Sequence, residues 1–272
     1  QVMNATVAEN HNSQSVPRRQ PVVAQGNQFA HAFKSELRKV LSLRSSIIWV
    51  VLMTGSLYGF VVLQGLFTTE KAPLNWNDLT TGTLVFVLLA IVFGAGATAG
   101  ELGNHMQAHS FLTQKARWHW LSARLIITVM FVIVNYAVGL LVSLLVAVIM
   151  PKLEFNGGDI KFAWVPAIYL AGYALVAAGV AMITRSRVAG LALPLVWFLV
   201  IENLLFAFGT TYEIAKKLYE ISPGHAMQDL SMEAFTAEAP AFTVAHNVTV
   251  LAVWVAVAVA AALFFNSKRD VR

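Results

Sequence analysis

The chain has 272 residues, of which 57% are hydrophobic and only 12% charged; a soluble globular domain carries about 25% charged residues, so this one lacks the polar surface to cover a water-facing sphere. It contains no cysteine, which excludes disulfide frameworks, thiolate metal sites and cysteine nucleophiles. The net charge of +5 does not point to nucleic acid, because the basic residues sit at the ends of apolar runs and form no basic face with interleaved aromatics.

Residues 1–28 are polar, with Pro17, Arg18, Arg19 and Pro21 and no apolar run of signal-peptide type, and they predict a disordered cytoplasmic tail. Residues 29–46 predict an amphipathic helix in the inner membrane interface. Phe29, Phe33, Leu37, Val40 and Leu41 fall at helical spacing, and Lys34, Arg38 and Lys39 lie mostly on other faces. A plain extension of the first span is the alternative.

Six apolar runs follow, near 47–66, 82–100, 124–150, 163–184, 188–208 and 243–265. Each is long enough for a hydrocarbon core of about 30 Å, which takes about 20 helical residues. The expected fold is an all-α integral membrane protein whose six-helix domain covers 47–265, with a polar segment 101–123 between the second and third spans. A longer segment, 209–242, precedes the last span, and 266–272 form a C-terminal tail. With both termini inside, fourteen of the nineteen Lys and Arg lie on the inner segments and five on the outer loops, the sense of the positive-inside rule. This predicts a multi-pass protein of the cell (inner or plasma) membrane, with 101–123 cytoplasmic and 209–242 extracellular.

Within the spans, Glu202 with Asn203 stands in the outer half of the fifth, and Asn135 with Tyr136 in the third. An acid inside a span is costly and marks a candidate functional site. Glu202 faces a substrate path or carries a proton, or else it reaches the interface or hydrogen-bonds across helices. Asn135 and Tyr136 read as interhelical hydrogen-bonding groups and are the weaker pathway candidates. Pro194 predicts a kink in the fifth span. Glu101, His105 and His109 share a helix face, but no second cluster completes a metal site, so no metal is expected. His31, His225 and His246 are scattered in sequence without a catalytic pattern.

The second span ends in Gly94-Ala95-Gly96-Ala97-Thr98-Ala99-Gly100, then Glu101, and is followed by a polar, aromatic stretch up to Arg124. This stretch carries Phe111-Leu112-Thr113, Lys115, Arg117 and Leu121-Ser122-Ala123-Arg124. Here the chain resembles the permease subunits of bacterial ABC-2-type transporters. In those, a second span ending in small residues and Glu leads into a polar coupling helix and a basic cluster. The chain departs from that pattern at Asn104, Met106 and Lys115. Ile221-Ser222-Pro223-Gly224 is similar to the family's Pro-Gly-containing short helices before the last span.

The resemblance implies an ABC-2 (type V exporter-like) architecture with an N-terminal interfacial helix and a cytoplasmic coupling helix. It implies a permease subunit of an ATP-binding cassette exporter that forms a dimeric pathway for a hydrophobic or amphipathic substrate, such as a drug, an antimicrobial peptide or a lipid. Glu101, His105, Phe111, Leu112, Lys115, Arg117 and Trp118 would couple the chain to an ABC ATPase subunit, with Trp120 as a further anchor. The other partners would be a second permease copy or a related chain, and membrane lipids. The chain has no G-x-x-x-x-G-K-[ST] phosphate loop; it is expected to be no enzyme, with no cofactor of its own, and ATP and Mg would be bound by the partner. A secondary transporter and a non-transporting membrane subunit are the alternatives. Trp118, Trp120 and Arg117 are also residue types that gather at any membrane interface.

Overall fold

The computed structural model describes residues 28–42, 44–103, 117–232 and 242–268, with side chains undescribed at 28, 101–103, 117–119, 187, 231–232 and 266–268. It contains six helices long and apolar enough to cross a membrane, and the chain has the architecture of a multi-pass α-helical membrane protein. The bundle has two end faces. The terminal face carries residues 28–42, Arg44, the 185–187 turn and the end of the last helix. The distal face carries 67–83, 150–161, 209–232 and 242–243.

Helix α1 (Gln28–Ser42) precedes the first span, α2 (Arg44–Phe67). Its buried positions are Ala32, Glu36 and Val40, spaced by four residues, whereas Leu41 is exposed and Phe29, Phe33 and Leu37 are only partly covered. Of the expected apolar stripe, Val40 alone is on the face that packs. The packed face carries an acid, because that acid finds Arg124 at the start of the third span: Arg124 Nη1 donates to Glu36 Oε2 at 3.2 Å, and Lys39 Nζ lies 2.5 Å from Glu36 Oε1.

The second span, α4 (Thr83–Gly103), and the fourth, α6 (Lys161–Thr184), form the centre of the bundle. In each, 56% of the most apolar window is buried. The run of small residues in α4 works through Gly94: a Cβ there would stand 2.5 Å from the Ala174 carbonyl oxygen of α6. Backbones therefore meet directly, which is how helices associate where lipid removes the hydrophobic drive. Gly96 has open space beside it and contributes nothing to that contact.

The third span, α5 (Arg117–Ile149), has 33 residues, roughly 50 Å at 1.5 Å per residue, so it outruns a hydrocarbon core of about 30 Å. It starts at Arg117 and α4 runs on to Gly103, so both neighbouring helices extend into the expected coupling segment. Phe93 of α4 stacks on Phe131 of α5 with ring centroids 4.4 Å apart, and the Tyr136 hydroxyl donates to the Ala163 carbonyl of α6 at 2.8 Å.

On the distal face the chain adds elements that hydropathy does not reveal. Strand β1 (Ala72–Asn75) pairs in parallel with β2 (Leu153–Gly157), and the four-residue helix α3 (Trp76–Leu79) follows β1. Asn75 starts α3 with a capping box: its side chain accepts from the Asn77 and Asp78 N–H groups, and Asp78 Oδ2 accepts from the Asn75 N–H at 2.8 Å. The all-α expectation omitted this small sheet.

The fifth span is interrupted. Arg185 ends α6 in the left-handed conformation (φ 52°), and the Ser186 side chain caps α7 (Arg187–Val196) by accepting the Ala189 N–H at 3.2 Å. Pro194 lies inside α7; a π-turn (Trp197–Ile201) and α8 (Glu202–Gly209) complete the span. Proline cannot donate to the carbonyl one turn back, and a wider turn is one way a helix absorbs such a defect. After α8 come the short helices α9 (Glu213–Glu220) and α10 (Pro223–Met232), then the last span, α11 (Val244–Lys268).

Candidate functional site

The π-turn determines where Glu202 points. In an α-helix residues i and i+5 diverge, but the π-turn brings them together: the Glu202 N–H bonds to the Trp197 carbonyl, and the Trp197 indole N–H donates to Glu202 Oε1 at 2.8 Å. The span thereby turns its carboxylate inward, and Glu202 is only 5% exposed.

The inner partner comes from α9 and α10, which re-enter the bundle. Helix α9 runs back along α8, with Tyr219 against Phe206 at 5.5 Å between ring centroids. The chain then reverses at Ile221-Ser222. The Ile221 carbonyl takes the indole N–H of Trp254, well inside the last span, at 2.8 Å. The buried Ser222 caps α10 by accepting the His225 N–H at 3.2 Å, and Pro223 occupies the first helical position.

The free N–H of Gly224 then donates to Glu202 Oε1 at 2.8 Å. At about 1.5 Å per residue, Glu202 lies roughly 10 Å below Gly209, and the reversal reaches that depth. Glycine at the tip leaves room for the carboxylate, since a Cβ on Gly224 would stand 1.5 Å from Glu202 Oε2 and would have to displace it.

The Glu202 carboxylate therefore faces the positive end of a helix and two nitrogen donors, an arrangement that stabilises negative charge. Its two oxygens are unequally served. Oε1 accepts both good bonds, whereas Oε2 accepts only the Tyr173 hydroxyl at a long 3.4 Å.

Glu202 stands in the wall of a cavity of about 540 Å³ among the distal ends of the second, fourth and fifth spans and the re-entrant pair, a size that suits a small organic ligand. Thr80, Thr81 and Asn77 supply hydroxyl and amide groups from α3 and the turn after it. Phe162, Tyr169 and Phe198 supply rings.

Beside the site, the re-entrant pair is fastened to the last span. Asp229 Oδ2 accepts from the Phe242 N–H at 3.0 Å and from Asn247 Nδ2 at 2.7 Å. His225 stacks obliquely on Tyr219 at 4.7 Å, and Phe242 lies between His225 and His246, 5.8 Å and 4.4 Å from their rings. Two of the three histidines scattered in sequence, His225 and His246, thus share one aromatic cluster, and His31 lies apart on α1. Burial pushes His225 below the ordinary histidine range. The Tyr219 hydroxyl, which donates to Gln228 Oε1 at 2.5 Å, is pushed up to about 12, by burial first and then by the charges of Glu202 and Asp229.

Of the expected pathway residues, Glu202 and Asn203 line the cavity. Asn203 is exposed and spends its amide on the Leu199 carbonyl of its own helix at 2.9 Å. Asn135 and Tyr136 do not line it. Asn135 is buried and donates to Phe131 one turn back at 2.7 Å, so it makes an intrahelical bond where an interhelical one was expected; the Tyr136 bond to Ala163 does cross between helices.

Of the expected coupling residues, His105, Phe111, Leu112 and Lys115 lie outside the described residues, as does His109. Glu101, Arg117 and Trp118 are placed by backbone alone. Trp120 is corrected: it is 1% exposed and packs with Leu121, Leu125, Ala178, Met182 and Ala262, so it anchors the third span to its neighbours and is not available to a partner. Sequence reasoning missed Gly224, Trp197 and Tyr173. Only Gly224, inside a Pro-Gly pair in an already noted motif, carried a signal.

No family model and no curated protein sequence matches the chain. Fold and site together define a class and no more: a multi-pass helical membrane protein with an interrupted fifth span, a re-entrant helical pair and a carboxylate-bearing cavity at one end.

Proposed function

We propose that the chain is the permease subunit of an ATP-binding cassette exporter of the ABC-2 type, one half of a dimeric pathway for a hydrophobic or amphipathic substrate, driven by a separate ATPase subunit. The observation that carries this reading is the stretch 101–124 between the second and third spans, with Glu101, Phe111-Leu112, Lys115, Arg117 and Leu121-Ser122-Ala123-Arg124 at the offsets of the family's coupling segment. The six spans and the two short helices before the last one are compatible with it. In this reading the terminal face is cytoplasmic and meets the ATPase through residues 101–118, while the distal cavity belongs to the substrate path.

Purification of the chain from its native membrane tests the proposal. A soluble ATPase should co-purify, and transport in inside-out vesicles should stop without ATP. Replacing Phe111 and Trp118 by Ala should lower transport per ATP hydrolysed while membrane insertion is kept. Transport that persists without ATP, or a chain that binds no ATPase, overturns the reading.

One observation favours a second reading, a secondary transporter: an interrupted span and a helix N-terminus converge on one carboxylate within the membrane-spanning part of the chain, a construction such transporters use at their binding sites. Dependence of uptake on an ion or proton gradient, with no response to ATP, would select it.

A further inference from the structure

We propose that the distal cavity is a binding site for a monocationic amphiphile, whose ammonium group is held by Glu202 Oε2 and whose apolar body lies against the rings of the cavity wall. Four observations lead there.

The first is charge. Among the described residues that line the cavity, Glu202 carries the only carboxylate, and none of them is Lys, Arg or His. The nearest ammonium along the chain, Lys161 beside Phe162, lies 3.4 Å from Asp159 Oδ2. The partners of Glu202 are an indole, a backbone amide and a phenol, all of them neutral. They orient the carboxylate without cancelling its charge, and a bound cation would cancel it.

The second is unused hydrogen-bonding capacity. A carboxylate oxygen accepts about two bonds. Oε1 has both, at 2.8 Å, whereas Oε2 has one at 3.4 Å. An ammonium N–H would give Oε2 the short, charge-assisted bond it lacks.

The third is the wall. Tyr169, Phe198 and Phe162 line the same space, and aromatic faces attract ammonium groups while accepting hydrocarbon. The fourth is access. Leu84 at 58% exposure, Leu199 at 49% and Phe206 at 56% form part of the lining, so the cavity opens sideways between the second and fifth spans. That is a route for a molecule already dissolved in the bilayer.

For the word substrate this inference rests on the transport reading. Binding itself needs neither ATP nor an ATPase, so the two fail separately. The test uses the purified full chain in phosphatidylcholine nanodiscs, with empty nanodiscs subtracted. Three fluorescent probes share one dansyl-pentyl skeleton and end in a primary amine, its neutral N-acetyl derivative or a carboxylate.

Near neutral pH the amine should bind at least about tenfold tighter than the neutral probe, and the carboxylate weakest. Glu202→Gln still offers an oxygen to Trp197 and Gly224; it should bring the amine down to the affinity of the neutral probe and leave the neutral probe unchanged. Equal affinity of amine and neutral probe for the unaltered chain overturns the proposal, as does a preference for the amine that survives Glu202→Gln. The comparison on the unaltered chain needs no variant, so a poorly folded Glu202→Gln leaves the test standing. Loss of the charge preference together with retained ATPase co-purification would reject the ligand class alone.

Discussion

Three carboxylates are buried among the described residues, Glu36, Glu202 and Asp229, and the same helical scaffold treats the first two in opposite ways. Glu36 on the terminal face is 1% exposed and is met by two cations, Arg124 at 3.2 Å and Lys39 at 2.5 Å. Glu202 near the distal face is 5% exposed and is met by neutral donors alone. An acid matched by cations has its charge already spent on holding elements together; removing either side leaves an uncompensated ion. An acid held only by dipoles keeps its charge available to something else. On this difference Glu36 is architectural, the tie between α1 and the third span, whereas Glu202 is the acid that the proposed ligand would use.

The largest expected effects break the first of these. Arg124→Met leaves Glu36 buried with only Lys39, itself partly exposed. Thermal unfolding in detergent should show a loss of about 3–5 kcal/mol, the usual cost of orphaning one member of a buried pair. The double variant Glu36→Leu/Arg124→Met should recover most of that loss, because an apolar pair of similar volume carries no desolvation penalty. A double variant no more stable than the single one would show that Arg124 acts mainly through other contacts.

Next in size is Gly224→Ala. The added methyl cannot coexist with the Glu202 carboxylate where it stands, and the overlap should cost about 1–3 kcal/mol by overpacking. Combining it with Glu202→Ala should relieve the overlap, so the pair should be far from additive. Trp197→Phe should cost about 1.5–3 kcal/mol by deleting a hydrogen bond to a charged group. Glu202→Gln, in contrast, should leave stability within about 1 kcal/mol, because the loss of charge assistance is offset by the relief of a buried charge. If Glu202→Gln unfolded the chain as readily as Arg124→Met, the contrast between the two acids would be lost.

How far these sites were legible follows from what kind of signal each leaves. The six spans are written in long apolar runs, a signal that survives any arrangement of neighbours. The acid at 202 stood out for the same reason, since it interrupts such a run. Glu36 did not, because in a polar amphipathic stretch a lone acid resembles any solvated side chain. Its burial depends on Arg124, 88 residues away, and on a packed face that runs through Ala32 and Val40 while Phe29, Phe33 and Leu37 remain partly open.

The re-entrant pair was noted only as a Pro-Gly motif. Helices of 8 and 10 residues are too short to register as spans, so their dip into the bundle cannot be read from hydropathy. The π-turn leaves no periodic trace over five residues, although Pro194 marked the region as irregular. The pairing of β1 with β2 joins two loops distant in sequence, which local patterns do not encode.

The smallest effect concerns the cluster that fastens the re-entrant pair to the last span, and its sign can be worked out. Burial holds His225 below the ordinary histidine range, against the opposing charges of Asp229 and Glu220 and with His246 adding to the shift. The folded chain therefore binds the His225 proton less readily than the unfolded chain does. Wherever the unfolded chain binds more protons, stability rises with pH. The contribution of a neutral His225 is thus fully present above the ordinary histidine pKa and is lost as pH falls through that value toward the lowered one. Thermal unfolding of the purified chain should show a lower Tm under mildly acidic conditions than near neutrality. His225→Gln should flatten part of that slope. Asp229 lies between Gln228 and Leu230, which line the Glu202 cavity, and this makes a further distinction possible. If acidification loosens only the fastening of α10 to the last span, the amine preference of the cavity should persist until the unfolding transition itself; if it fades earlier, together with His225 protonation, the cluster also controls the position of Gly224 against the carboxylate.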